Sequence, residues 1–153
     1  MWITLSSSDL KNKLSASEYT SVTTAQVQEG KTAEEVIAEE LGATVAMVRG
    51  YVGARQSNVL GDGVTIPDEL KDAALVVMRH KVFSRLPGLK RLLDEPRVRE
   101  YEDAMVQLRD VAAGRFAVVP PEVVSQDQAI GQTAQVVSSR ERQHTREKWS
   151  GVL

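Results

Sequence analysis

The side chains of this sequence with chemical potential are two histidines, a Gly-Asp-Gly turn, an acidic cluster and a run of basic residues. A general base needs a group to hold its tautomer and a proton within reach. His80 lies between Arg79 and Lys81, and His144 sits in a different segment. Neither has a partner at useful spacing, so His80 reads as a solvated or interface residue. The chain holds no H-E-x-x-H, P-loop, G-x-S-x-G or dinucleotide fingerprint. Its serines and aspartates lack a matched histidine and imply no nucleophile. It has no cysteine, which removes disulfides, thiolate metal sites and cysteine nucleophiles. Gly61-Asp62-Gly63 falls short of a calcium loop, because Val59, Leu60 and Val64 surround its only acid. It reads as an ordinary turn. These residues predict a protein that is not an enzyme, with no catalytic residue, no metal site and no cofactor.

Charge patterning is more informative. Glu34, Glu35, Glu39 and Glu40 form an acidic helix face, opposite an apolar stripe. Arg79, Lys81, Arg85, Lys90, Arg91, Arg97 and Arg99 form the sharpest electrostatic feature. The net charge of -2 gives no global pull toward nucleic acid or anionic membrane. There is no recognition-helix arrangement, and aromatics for stacking are few. We read Arg79, Arg85, Lys90 and Arg91 as a basic contact surface for protein. A small DNA-binding packaging or regulatory protein is the alternative.

The elements that position these groups are helical. Apolar residues make up 42% of the chain and aromatics 5%, which predicts an aliphatic core. Pro67 to Leu86 reads as the central helix. Pro67, Asp68 and Glu69 suit its first turn, Ala73 to Met78 is apolar on every side, and Pro87-Gly88 closes it. Ser6 to Ser8 and then Ser15 or Ser17 offer caps for two short helices, the second fading at β-branched Thr20 to Thr24. Thr32 and Glu35 make a capping box, followed by a stripe of Ile37, Leu41, Val45, Val48 and Val52 running to about Ala54. Asp94 caps a last helix whose seam is Val98, Tyr101, Met105, Leu108 and Ala112, ended by Gly114. No apolar run approaches a membrane span, and no secretory signal opens the chain, so an intracellular, soluble protein is the expectation. Residues 115–153 carry five basic and four acidic groups. They are too poor in apolar residues to fold alone, yet hold Phe116, Val118, Val119, Trp149 and Leu153. The prediction is an all-α bundle of four to five helices over residues 1–114, with an extended C-terminal arm over 115–153. The arm's contacts with neighbours are assigned to Phe116, Val118, Val119, Arg140, Arg142, Arg146 and Trp149.

Several stretches together carry a resemblance to a known family. They are ITLSSSDLKNKL at residues 3–14, VAMVRGYVGAR at 45–55 before Pro67-Asp-Glu-Leu70, and RVREYEDAM at 97–105 running through Leu108 to Gly114. Thr145 to Val152 adds a short Arg-containing closing motif. In these the sequence resembles the head–tail connector (adaptor, or head-completion) proteins of tailed bacteriophages, closest to the Mu-like head–tail joining group. The resemblance implies a structural virion protein of the phage neck, present in the host cytoplasm during assembly. It implies a homo-oligomeric ring, a dodecamer, that docks on the portal protein and receives the tail or a stopper (tail-completion) protein. DNA would pass through its channel without specific binding, and no membrane is involved.

Overall fold

A computed structural model describes residues 1–25, 27 and 30–122. Among them are five α-helices: α1 (Ser7–Lys13), α2 (Ala16–Thr23), α3 (Ala33–Gly53), α4 (Lys71–Arg85) and α5 (Glu95–Ala113). Two short strands, β1 (Trp2–Ile3) and β2 (Ile66–Pro67), pair antiparallel with Trp2 opposite Pro67 and Ile3 opposite Ile66. The class is the all-α bundle that the sequence predicts.

Local chemistry explains the helix starts. Asp9 accepts the Ser6 N–H at 2.9 Å and the Ser6 hydroxyl at 2.6 Å. Ser15 and Glu18 form a capping box at the head of α2, and Thr32 and Glu35 do the same for α3. Asp94 accepts from the Arg97 amide at 3.2 Å to cap α5. Gly114 closes α5 at φ 77°, where a side chain would be strained.

Helix α2 ends at Thr23, inside the β-branched stretch Thr20 to Thr24 where the sequence predicts it to fade, and two other predicted details are corrected. The hydroxyls of Thr20, Ser21 and Thr23 donate to carbonyls four residues back, on the helix's own surface. Pro67 does not start the central helix. It pairs with Trp2, a 3-10 turn (Asp68–Leu70) follows, and α4 begins at Lys71. On α5 Val111 is fully buried along with Leu108 while Ala112 is half-buried, and Ala104 is buried as well. A helix on a bundle buries a stripe wider than a heptad seam, which brings these positions in.

The core lies along α4. Its first half, Ala73 to Val77, packs with Val45, Val48 and Val52 of α3 and Leu108 and Val111 of α5. Its second half supplies Met78, Val82 and Phe83 to a group with Leu10, Val22, Val36, Leu86 and Leu89. Phe83 is fully buried, and burial of a side chain this size contributes about 2–3 kcal/mol. The expectation that α4 is buried on more than one face therefore holds.

Candidate interaction surface

The basic stretch is largely tied down inside the subunit. Arg79 is buried at 8% exposure and pairs with Glu100 on α5. It is buried in this chain rather than exposed, because its position just after the apolar run of α4 sets it against Glu100 on α5. Arg85 spans to the acidic face of α3, 2.5 Å from Glu39 and 2.9 Å from Glu40. The two carboxylates hold the Arg85 guanidinium above its ordinary value, and Lys31 and Arg85 hold the Glu39 carboxyl below its own. Arg99 pairs with Glu95, and Arg97 pairs with Glu18 and Asp94. Of the four residues assigned to a basic contact surface, Lys90 and Arg91 remain exposed without an ion pair among the described residues. They sit on a 3-10 turn (Lys90–Leu92) between α4 and α5.

His80 is half-buried between α4 and α5. Its ring stacks on Tyr101 with centroids 4.0 Å apart and planes 16° from parallel. Its Nδ1 is buried without a hydrogen-bond partner. Burial, and then the Arg79 charge, push its pKa below the ordinary value. Asp62 of the Gly-Asp-Gly turn accepts the Gly63 N–H at 2.8 Å, as a turn aspartate does. Among the described residues there is no cluster of three or more metal-ligating side chains.

The start of the arm folds back on the hub. Phe116 and Val118 pack against the α3–α4–α5 core, and Trp2 Nε1 donates to the Val119 carbonyl at 2.9 Å. Val119 keeps its side chain 51% exposed. Arg140, Arg142, Arg146 and Trp149 lie outside the described residues. Arg115 and Phe116 both donate their N–H to the Asp110 carbonyl, which fastens the exit from α5.

Two features had no signal in the sequence pattern. Arg49 on α3 donates to the carbonyls of Thr65 at 2.6 Å and Gly61 at 3.1 Å, holding the turn against the helix. Beside it lies a groove of about 360 Å³ lined by Leu5, Leu41, Gly42, Val45, Ala46, Arg49 and Val64. On the far side of the same turn, Met1, Trp2, Gly61, Asp62 and Thr65 line a recess with Pro121 and Glu122. Three large apolar side chains stand exposed around this end, Met1, Val64 and Val119. Exposed apolar surface collected in one place marks contact with something else.

Fold and surface thus define a small helical hub with one apolar end, from which its last segment departs. The chain belongs to the bacteriophage family described as Bacteriophage Mu, Gp36, whose model matches residues 5–137. It is a phage protein of Mu-like kind. No curated protein and no solved structure matches it significantly. Among the described residues, no helix is long and apolar enough to cross a membrane.

Proposed function

We propose that this phage protein is a structural, non-catalytic subunit of the virion neck, a head-to-tail connector. Its copies would form a ring, a dodecamer, on the portal protein. The ring would extend the DNA channel and receive the tail or a stopper protein. The observation that carries this is the reach of the family match. It runs from residue 5 through the helical hub and past Glu122 to residue 137, so it takes in the hub and the first part of the arm. A ring subunit needs a rigid core plus segments that add contact area with neighbours. Such segments cover wide surfaces but lose entropy when they order.

A second class, a DNA-binding packaging or regulatory protein, is disfavoured by the internal pairing of Arg79, Arg85, Arg97 and Arg99. Cations already matched to carboxylates release fewer counterions on meeting DNA. Electron microscopy of the purified chain, alone and mixed with portal protein, tests the proposal. Rings or density capping the portal are the expected result, and their absence would remove the connector role. Ending the chain at Glu122 should leave the hub folded but stop attachment. The cut belongs there rather than at Gly114, because Phe116 and Val118 are part of the hub's packing. Attachment by the shortened chain would refute the role of the arm. Binding to duplex DNA that persists near physiological salt would favour the second class.

A further inference from the structure

We propose that the apolar groove on α3 is the seat of this chain's own residues 123–130. The groove is walled by Leu5, Leu41, Val45, Ala46 and Val64, with Arg49 also lining it. Val64 stands 63% exposed there. Apolar walls of this kind gain from being covered.

The occupant follows from where the chain leaves the hub. Glu122, the last described residue, shares a recess with Gly61 and Thr65. The carbonyls of those same two residues are the ones that Arg49 holds. Exit and groove therefore flank a single turn, residues 61–65. An extended chain advances about 3.3 Å per residue, so eight residues reach about 26 Å, more than the width of a turn. The residues that follow are Val123, Val124, Ser125, Gln126, Asp127, Gln128, Ala129 and Ile130. Val123, Val124 and Ile130 match the apolar walls. Asp127 is the segment's only charge, and Arg49 has no carboxylate partner among the described residues. Size, hydrophobicity and charge agree on the neighbouring segment of the same chain. The inference concerns the single chain and stands apart from the neck role.

The absence of cysteine makes the test clean, since two engineered thiols are the only pair present. In the full-length protein, Ala46→Cys with Val124→Cys should form an intrachain disulfide under mild oxidation. It should form about tenfold faster than Glu102→Cys with Val124→Cys, by the gain in effective concentration. Glu102 is exposed on α5 and outside the groove. Equal rates for the two pairs would overturn the proposal. A covalent dimer from the groove pair would also overturn it, assigning the groove to a second copy. As a second readout, Ala46→Glu should speed amide exchange in residues 123–130 while leaving α4 protected. Unchanged exchange in 123–130 would refute the docking.

Discussion

Glu18 joins α2 to α5 through Arg97, and replacing it is the sharpest test of how the hub is held together. Glu18 is only 5% exposed. Burial pushes its carboxyl up, but the Ser15 amide and hydroxyl, with the Arg97 and Arg79 charges, outweigh burial and hold it below its ordinary value. Glu18→Ala removes a carboxylate from a cation that is 27% exposed, and it also removes the acceptor for the Ser15 N–H. Breaking a fully buried pair costs about 3–5 kcal/mol, and the partial exposure of Arg97 brings this to about 2. Loss of the capping box adds about 1 kcal/mol. The total of about 3 kcal/mol is a large part of the ~5–15 kcal/mol that stabilises a domain. With a urea slope of about 1.5 kcal/mol/M, the midpoint should fall by about 2 M, read by far-ultraviolet circular dichroism. Adding Arg97→Met takes away a cation that has lost its buried partner and keeps only the exposed Asp94, and should restore about 1 kcal/mol. The sign with pH is fixed. A depressed carboxyl stabilises above its unfolded pKa of about 4.3, and that contribution is lost as pH falls through the folded value. Wild type and Glu18→Gln should therefore converge in acid. A midpoint shift under about 0.5 M for Glu18→Ala, or no recovery with Arg97→Met, would refute the pairing as a source of stability.

Two other outcomes are expected. Gly61→Ala would put a Cβ 2.6 Å from Trp2 Cε3 and 2.8 Å from Thr65 Oγ1, in a turn that Arg49 holds fixed. It should cost about 1–3 kcal/mol by overpacking and shift Trp2 fluorescence toward the solvent-exposed form; an unchanged spectrum would show that the turn moves freely. His80 has its pKa lowered from 6.5, so the unfolded chain takes up the proton first and stability should drop as pH falls below about 6.5. His80→Phe keeps a ring on Tyr101 and should remove that dependence, measured as urea midpoints between about pH 7.5 and 5.5; a persisting slope would place its origin elsewhere.

What the sequence revealed divides by distance along the chain. Caps at Ser15, Thr32 and Asp94 and the stop at Gly114 were legible because each depends on residues three or four positions away. The burial of α4 was legible because its apolar run has no polar side to turn outward. The burial of Arg79 against Glu100 on the next helix was not readable, since it depends on how α5 crosses α4. Glu18 and Arg97 lie 79 positions apart, and no local pattern marks a helix-cap glutamate as the core partner of a distant arginine. The Trp2–Val119 bond, Arg49's hold on the turn and the groove beside it arise only after the helices pack. The start of the arm was misjudged for the same reason. Phe116 and Val118 look unsheltered in sequence, but Asp110 folds the chain back across the core.

The bond between Trp2 and Val119 brings the two ends of the described chain to one point. Tension on the segment beyond Glu122 would therefore not start by peeling α5 from its end. It would first load the indole of Trp2, then its strand partner Pro67, and through Leu70 the middle of the hub. A pull on Glu122 therefore meets the Trp2–Val119 bond and the packing of Phe116 and Val118 before it reaches the end of α5.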